Sequence, residues 1–360
     1  MAGSGCKAGT DLCREESARR LVRQRIDNEI MNPTPHLALV GAGIAGLSCA
    51  TALQGAGLKV SLFDKSRGSG GRMSTRRGDD WQCDHGAQYF TARHPAFRAE
   101  VARWQQAGVA GVWDPRLWMF DGDSAQGRES TVERFVGMPA MTAPARYLAS
   151  TLAVQAATNI EQLRQQAHGW QIFSAQQGWL ETRFSAVLLA VPAPQAAALL
   201  QQAAPELAEL AGGAVMRGCW ALMLRFASPV DLPFDAAFVN HGPLRWIARN
   251  SSKPGRGGQE TWLLHACAEW SEAHLEEDPE SVAAALLAAF GQLGGPAPQD
   301  WTVHRWRYAD TEPALHEGCV WRPDIALGLC GDWLNGGKVE GAWRSGQALA
   351  EQALRSFTRC

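Results

Sequence analysis

Residues 36–64 constrain the fold more than any other part of the chain. A short apolar run at residues 37–40 leads directly into Gly41-Ala-Gly43-Ile-Ala-Gly46. In such a motif the first glycine permits a tight turn, the second lets a pyrophosphate approach the backbone, and the third lets the following helix pack closely on the strand. The order of strand, turn and helix therefore predicts an α/β fold with a doubly wound, Rossmann-type sheet and a phosphate site at the helix N-terminus.

The residues that follow the motif strengthen this prediction. Residues 47–56 are rich in alanine and predict the helix, and residues 59–63 predict a second strand that ends at Asp64. Asp64 stands roughly 20 residues after the glycines, where a carboxylate accepts the ribose hydroxyls of an adenosine. Gly3-Ser-Gly5 has nearly the same spacing, but no strand precedes it. The predicted dinucleotide site therefore comprises Gly41, Ala42, Gly43, Ile44, Ala45, Gly46 and Asp64.

A second glycine-rich loop, at residues 65–76, distinguishes between NAD and FAD. The backbone N–H groups around Gly71 and the charges of Lys65 and Arg72 can reach the same pyrophosphate. A simple NAD dehydrogenase has no use for this second loop. The paired loops resemble those of the flavin-containing amine oxidase superfamily, in which the second loop continues the FAD site. We therefore predict FAD as the cofactor, and the alternative is a solvated basic loop.

The composition excludes several classes of function. The chain has 360 residues, a formal net charge of −2 and a pI of about 6.5, which gives no indication of a nucleic-acid partner. No run approaches the roughly 18 apolar residues of a membrane span, so no membrane association is predicted. The nine cysteines have neither CxxC nor zinc-type Cys/His spacing. They predict no metal site and are typical of reduced thiols in a cytoplasmic protein.

Residues 1–35 stand apart as a charged extension. They contain acidic as well as basic residues and no apolar stretch of the kind found in a secretory signal. We expect this extension to be disordered, and we expect the native protein to start at Met31.

Hydrophobic periodicity predicts the remaining elements. Helices are predicted at residues 95–107, 145–153, 196–210, 279–293 and 339–356. Strands are predicted at residues 186–191, 215–226, 244–248, 261–266, 301–308 and 325–330, with a hairpin over 170–184 and short antiparallel strands over 108–137. This mixture predicts an antiparallel sheet inserted between pieces of the dinucleotide domain.

We accordingly expect two interleaved domains. The FAD-binding domain is expected to be discontinuous, with residues 36–95, 138–195 and 319–360. The substrate domain is expected at residues 96–137 and 196–318, where its antiparallel sheet covers the flavin and holds the substrate.

Eight segments of the chain, taken in order, resemble the bacterial renalase-like flavoproteins. They are GAGIAGLSCA, FDKSRGSGGRMSTR, DHGAQYFTAR, LLAVPAPQ, WIARNSSKPGR, LHACAEWSEAH, HRWRYA and CGDWLNGGKVEGAWRSG. The resemblance runs from about residue 37 to the carboxyl end. It implies a fold like those of the amine oxidases and para-hydroxybenzoate hydroxylase, with non-covalently held FAD. It also implies oxidation of 2- or 6-dihydro isomers of NAD(P)H by O2, which yields NAD(P)+ and H2O2.

The resemblance also implies a set of site residues. The implied flavin contacts are residues 41–46, Asp64, Lys65, Arg72, Gln88, Asp332 and Val339, to which we add Gly71 and Gly331 from the two glycine-containing turns. The implied substrate wall includes residues within 246–253 and His265. We expect Tyr89, Arg245, Trp246 and Lys253 to bind the substrate.

The residues themselves are consistent with hydride transfer. A dihydropyridine becomes aromatic when it gives hydride to flavin N5, so stacking and alignment matter more than acid–base chemistry. Asn250 and His265 are the candidate catalytic residues because each can hydrogen-bond the carboxamide. Arg245, Arg249, Lys253 and Arg256 are candidate phosphate ligands if the 249–258 loop lies at the pocket mouth. The alternatives are a core histidine and a solvated loop.

Two further functions stay open at the level of sequence. One is an oxidase of amines or other small molecules, for which the 15 tryptophans could build an aromatic cage. The other is a flavin-binding redox protein without turnover. Lys338 is either a cation that promotes electron transfer to oxygen or a solvent-facing lysine.

Overall fold

The computed structural model of the protein describes residues 34–122 and 124–357. Nearly all of the expected disordered extension, including the expected start at Met31, lies outside the described residues. No helix within these two ranges is long and apolar enough to cross a bilayer.

Most strands follow one another in runs of three to five, and one or two helices separate the runs. The strands are β1 (His36–Val40), β2 (Lys59–Phe63), β3 (Thr75–Arg77), β4 (Gln82–Asp84), β5 (Ala110–Val112), β6 (Leu117–Asp121), β7 (Ser124–Gly127), β8 (Phe135–Gly137), β9 (Val154–Gln155), β10 (Ile160–Gln166), β11 (Gly169–Ser174), β12 (Gly178–Trp179), β13 (Ala186–Leu189), β14 (Met216–Phe226), β15 (Ala236–Val239), β16 (Leu244–Arg249), β17 (Glu260–Ala266), β18 (Asp300–Thr311), β19 (Val320–Arg322) and β20 (Leu327–Leu329). The helices are α1 (Ile44–Gly55), α2 (Pro95–Gln106), α3 (Ala143–Ala149), α4 (Ala193–Leu200), α5 (Pro205–Gly212), α6 (Ala268–Ala273), α7 (Pro279–Gln292) and α8 (Lys338–Phe357).

A six-stranded sheet carries the glycine-rich turn. Its strand order is β19-β20-β13-β1-β2-β9, and the pairs β1–β2, β1–β13, β13–β20 and β2–β9 are all parallel. The helix α1 packs against α8 so closely that a Cβ at Gly346 would lie 2.1 Å from the Ala45 carbonyl oxygen. The predicted Rossmann-type α/β fold is therefore confirmed.

A seven-stranded sheet of order β18-β14-β17-β16-β15-β6-β7 forms the second large layer. Its pairs are antiparallel except for β15–β6, which is parallel. Ala221 on β14 pairs with His265 on one side and with His304 on the other, and His265 also pairs with Trp246. Directly paired residues point to the same face of a sheet. Trp246, His265 and His304 therefore share one face, in one row across the sheet.

Three predicted elements differ from the structure. The single helix expected at residues 196–210 is two helices, α4 and α5, because Pro205 lacks a backbone N–H and starts a new helix at its first position. The expected hairpin over 170–184 is part of a three-stranded sheet that also contains β10. The strands of residues 108–137 are divided, since β5 pairs only with β8 while β6 joins β15 in parallel.

Candidate active site

A cavity of about 1560 Å³ lies between the glycine-rich loops and the row of side chains on the seven-stranded sheet. Pockets for one small ligand typically measure roughly 300–1,000 Å³. The volume is therefore sufficient for a dinucleotide and a second small molecule.

The N-terminus of α1 opens into this cavity. Gly43 is its N-cap, and the helix has neither a side-chain cap nor an acidic residue in its first turn. A Cβ built at Gly43 would meet no atom within 4 Å, so the space before the helix is open. The first N–H groups of a helix lack partners within the helix and attract anions. This end of the cavity therefore fits a pyrophosphate.

Asp64 and the second glycine loop complete the phosphate end. The Asp64 carboxylate accepts hydrogen bonds from the Ala42 N–H at 2.6 Å and from the Ser66 N–H at 2.7 Å, which hold it at the cavity wall. The Gly70 N–H donates to the Ala42 carbonyl at 2.9 Å, so the two loops are joined directly. Each carboxylate oxygen has capacity left for a ribose hydroxyl.

Arg72 connects the second glycine loop to Asp332 and to the Ala309 carbonyl. Its guanidinium makes a bidentate pair with Asp332, with distances of 2.9 Å and 2.6 Å, and also donates to the Ala309 carbonyl at 3.2 Å. Its charge was expected to lie at the pyrophosphate. The structure instead uses that charge to join the second loop to the turn before α8.

Neutral histidines form part of the opposite wall. His265 Nε2 lies 3.0 Å from the His85 carbonyl oxygen, which also accepts a hydrogen bond from Trp306 Nε1 at 2.8 Å. Burial lowers the pKa of His85 to about 3 and that of His265 to about 4, and burial also lowers the pKa of His304. These imidazoles are therefore uncharged at neutral pH.

Two predicted site residues lie behind the wall rather than on it. Asn250 is fully buried, and its amide bonds the Asp84 N–H, the Gln82 carbonyl and the Thr261 hydroxyl. Its hydrogen-bonding capacity is therefore used within the protein, which corrects the expected contact with substrate carboxamide. The expected substrate contact of Lys253 is corrected for the same reason, because its side chain is fully buried and bonded to Asp84.

Asp84 is the centre of a buried charge cluster. One carboxylate oxygen accepts from Lys253 Nζ at 3.1 Å and from Arg256 Nη2 at 2.5 Å, and Lys253 Nζ also donates to Gln88 Oε1 at 3.1 Å. Burial alone would raise the pKa of Asp84, but the two cations outweigh it and lower the pKa to about 2. Burial lowers the pKa of Lys253, and the cluster lies directly behind the cavity wall at Gln88.

The 249–258 loop does not lie at the cavity mouth. Arg249 pairs with Glu260 at 2.8 Å, and Arg256 donates to the Gly137 carbonyl at 2.6 Å as well as to Asp84. These arginines join the loop to β17, β8 and β4 within the protein, which corrects the expected phosphate contacts from this loop. Lys338 lies at the mouth of the cavity, where its largely exposed ammonium pairs with Asp310 at 3.2 Å.

The structure brings most of the predicted site residues to one cavity. The wall includes Gly41, Gly43, Ile44, Ala45, Asp64, Lys65, Gly71, Arg72, Gln88, Tyr89, Arg245, Trp246, His265, Gly331, Asp332 and Val339. Ala42 and Gly46 belong to the same turn but do not line the cavity. Sequence reasoning missed Arg134, Phe238 and His304 as wall residues. The HRWRYA segment carried a signal for His304, whereas Arg134 stands in a stretch without a recognisable motif.

Comparison with known families agrees with this geometry. The profile described as NAD(P)-binding Rossmann-like domain matches residues 39–104. The profile described as flavin containing amine oxidoreductase matches residues 119–354, which is more than half of the chain. The chain belongs to this family. The cofactor is therefore FAD, as predicted.

Similarity to individual curated proteins is confined to a short segment. The L-amino-acid oxidase of Notechis scutatus scutatus is 40% identical over 78 residues, which are 21% of this chain and 15% of that protein. The L-amino-acid oxidase of Siganus canaliculatus is 39% identical over 70 residues, or 19% of this chain and 13% of that protein. The matched segment thus spans less than a sixth of these relatives.

Solved structures share the fold over nearly the whole chain. A putative protoporphyrinogen oxidase from Exiguobacterium sp. 255-15 aligns with a TM-score of 0.74 at 13% identity, covering 90% of this chain and 99% of that one. Cyclohexylamine oxidase from Brevibacterium oxydans IH-35A aligns with a TM-score of 0.72 at 13% identity, covering 91% of this chain and 100% of that one. These similarities confirm the amine oxidase-like fold.

The cavity fits FAD on its own geometry. The uncapped N-terminus of α1 and the open space at Gly43 would hold the pyrophosphate, and Asp64 would hold the adenosine ribose. Gly331, Asp332 and Val339 line the wall at the other end, beside the start of α8, where the flavin would lie.

Proposed function

We propose that this flavin-dependent oxidoreductase oxidises dihydronicotinamide nucleotides reduced at the 2- or 6-position. The products would be NAD(P)+ and, after transfer of two electrons and two protons to O2, H2O2. This proposal refines the family assignment. It includes a renalase-like activity and a cytoplasmic location, both of which the sequence leads us to expect.

The distribution of charge at the cavity is the observation that carries the proposal. Asp310 pairs with Lys338, and Asp332 pairs with Arg72. In contrast, Arg245 lines the cavity, is exposed and forms no ion pair with an acidic side chain of residues 34–122 and 124–357, although Asp310 and Glu269 lie within electrostatic range. A substrate with phosphates would find a cation there, whereas an alkylammonium ion would be repelled.

The remaining carboxylates of the wall do not reverse this balance. Glu340 accepts hydrogen bonds from the backbone N–H groups of Arg93 and His94, at 2.9 Å and 2.8 Å. Asp64 is held by two backbone N–H groups at the adenosine end. Glu161 also lines the cavity, near Asp64, and accepts a hydrogen bond from Asn159 Nδ2 at 3.0 Å. None of these three acids lies unbonded at the flavin end.

The histidines of the wall favour hydride transfer over acid–base chemistry. Bound FAD supplies the hydride acceptor, and the substrate ring becomes an aromatic pyridinium when it loses hydride. No proton leaves the ring in that step, so a charged or strongly basic histidine is not needed. Neutral His265 and His304 fit this requirement because their pKa values are held below the ordinary 6.5.

His265 has one ring nitrogen available for the substrate. If Nε2 carries the proton that it donates to the His85 carbonyl, Nδ1 is an acceptor. An acceptor on the cavity wall suits the N–H of a carboxamide. We propose that His265 orients the nicotinamide ring in this way, and that Arg245 contacts the phosphates.

Oxidation of amines is the second candidate function. Tyr89, Trp246 and Phe238 all line the cavity, with ring centroids of Tyr89 and Trp246 at 5.6 Å and those of Trp246 and Phe238 at 4.7 Å. Such aromatic walls also suit a neutral amine.

The test is reduction of the bound flavin without oxygen. The FAD-loaded protein is mixed with the separate 2-, 4- and 6-dihydro isomers of NADH and with benzylamine, and flavin absorbance is followed at about 450 nm. Rapid bleaching by the 2- or 6-isomer alone supports the proposal, while bleaching by benzylamine alone supports amine oxidation. If none of the compounds bleaches the flavin, the protein is better described as a flavin-binding redox protein without turnover on these substrates.

A matched pair of variants tests the charge argument. Arg245→Gln is expected to weaken the interaction with the dihydronicotinamide nucleotide and to leave reduction by dithionite unchanged. Arg164→Gln removes a positive charge from β10, outside the cavity wall, and serves as the control. Equal nucleotide reduction by both variants at limiting concentration would contradict the assigned role of Arg245.

A further inference from the structure

Arg134 is a buried guanidinium at the cavity wall without a carboxylate partner. Only 6% of the residue is exposed, yet it lines the cavity. Its Nη1 donates to the Ser130 hydroxyl and to the Val132 carbonyl, each at 3.0 Å. Its Nε is buried without a hydrogen-bond partner, whereas Nη2 is not fully buried and forms no hydrogen bond with the described residues, so Nη2 is the donor that a ligand in the cavity can reach. Within residues 34–122 and 124–357 no acidic side chain forms an ion pair with it. A buried charge of this kind is costly unless something compensates it.

The other cations of the wall are either paired or solvated. Arg72 and Lys338 pair with aspartates, and Arg305 and Arg307 pair with Glu276. Lys65, Arg93 and Arg245 form no ion pair with an acidic side chain in the described part of the chain, but they are exposed, so water solvates them. Arg134 differs from both groups because it is withdrawn from water and still has unused donors.

One aromatic ring lies against Arg134, and two further rings continue from it along the cavity wall. Its guanidinium carbon lies 5.2 Å from the centroid of the Tyr89 ring. The Tyr89 ring in turn lies 5.6 Å from the Trp246 ring, which contacts Phe238. A cation beside flat apolar walls is suited to a planar ring that carries a negative group.

We infer that Arg134, with Tyr89, Trp246 and Phe238, forms an anion-binding subsite for an aromatic or heteroaromatic ligand. The group bound by Arg134 would be a carboxylate or a phosphate. The inference rests on the proposed function in one respect, since it places the substrate ring in the same cavity. It adds that the cavity selects ring-containing ligands that carry a negative group, through a residue other than Arg245. A dihydronicotinamide nucleotide meets this requirement with a phosphate that is one ribose away from its ring.

A purely structural role for Arg134 makes a different prediction. Its two bonds to residues 130 and 132 hold the segment between β7 and β8. If that were its whole role, a substitution would lower thermal stability without changing the preference between charged and neutral ligands. The discrimination between these ligands is therefore the decisive measurement.

The test measures ligand binding to the FAD-loaded protein by calorimetry, without turnover. The probes are benzoate, phenyl phosphate, and their neutral and cationic analogues benzamide and benzylamine. Arg134→Gln removes the charge, Arg134→Lys retains it, and Arg128→Gln is the control because it removes an exposed charge from the same segment. Thermal unfolding of each variant shows whether it is folded.

The wild-type protein is expected to bind benzoate or phenyl phosphate more tightly than benzamide, with benzylamine the weakest. Arg134→Gln is expected to lower the affinity for the anion roughly 10- to 150-fold, because a charge-assisted hydrogen bond is lost. The affinity for benzamide should change little. Arg134→Lys is expected to recover part of the loss. Whichever anion binds more tightly identifies the group as a carboxylate or a phosphate.

Two results would overturn the inference. One is equal binding of the anions and benzamide by the wild-type protein, and the other is an unchanged preference in a folded Arg134→Gln variant. Neither result depends on the flavin being reduced by a dihydronicotinamide. Failure of the subsite and failure of the proposed function are therefore distinguishable.

Discussion

Replacement of Asp84 by asparagine tests whether the buried charge cluster stabilises the fold. The Asp84 carboxylate is fully buried and accepts four hydrogen bonds, from Thr75 at 2.7 Å, from the Met141 N–H at 3.1 Å, and from the two cations. Asp84→Asn removes the only negative charge of the cluster and leaves Lys253 and Arg256 buried side by side. Breaking a buried pair in this way costs about 3–5 kcal/mol.

This cost corresponds to a measurable change in melting temperature. For a chain of 360 residues, about 1 kcal/mol shifts the midpoint by roughly 1.3 °C. Asp84→Asn is therefore expected to lower the melting temperature by roughly 4–7 °C, measured by thermal unfolding at one fixed FAD concentration.

Lys253→Met is the matched comparison for Asp84→Asn. It removes one cation but leaves Asp84 paired with Arg256, so the expected loss is that of one unsatisfied acceptor at Gln88, about 1–3 kcal/mol. The aspartate variant should therefore be the less stable of the two. Equal melting temperatures for the two variants, or an Asp84→Asn variant as stable as the wild type, would refute the reasoning.

The pH dependence of unfolding provides a second measurement on Asp84. Its pKa falls from the ordinary 3.8 to about 2 on folding, so the folded state gains stability from this group above pH 4. That contribution, on the order of 2–3 kcal/mol, is lost as the pH falls from 4 to 2. In Asp84→Asn this part of the acid-induced loss of stability should be missing.

Three further predictions concern the cofactor site and the histidines. Gly43→Ala should fold normally and bind FAD more weakly, because its Cβ enters open cavity space. Gly46→Ala should also lower the melting temperature, because its Cβ would lie 1.9 Å from a backbone oxygen. Equal stability of the two apoproteins would contradict this prediction. Arg72→Met should weaken FAD retention on a desalting column, because it breaks the bidentate pair with Asp332, and unchanged retention would contradict that role. The pKa of buried His85 falls from 6.5 to about 3 on folding. The free energy of unfolding should therefore decline by about 1.4 kcal/mol per pH unit below pH 6.5. Chemical denaturation of a His85→Gln variant should show a shallower decline.

The cofactor half of the site could be predicted from the sequence because its chemistry is local. The turn at residues 41–46 needs glycines at set positions, and the acid at Asp64 follows the next strand at a set distance. Both requirements are visible in one short stretch of chain. The structure accordingly brings Asp64 within 2.6 Å of the Ala42 N–H.

The substrate half could be predicted only in part because it depends on strand register and long-range pairing. His265 and Trp246 were expected at the wall, and the register places them side by side. Asn250 and Lys253 stand close to them in sequence, but a short 3-10 turn carries the chain away from the wall towards Asp84. No periodicity in the sequence shows that a carboxylate about 170 residues away is the partner of Lys253. The division of the chain into two interleaved domains stays a prediction.

The row formed by Trp246, His265 and His304 has a consequence for inhibitor design. These side chains project from strands joined by a continuous antiparallel ladder, so none can shift without disturbing its neighbours. Ala221, which lies between His265 and His304 in the row, is fully buried, so the longest unbroken part of the row at the cavity is the neighbouring pair Trp246 and His265, on strands about 4.8 Å apart. Rigid, planar compounds that match the surface of this pair should lose little entropy on binding, whereas bulky or puckered ones would need the sheet itself to deform.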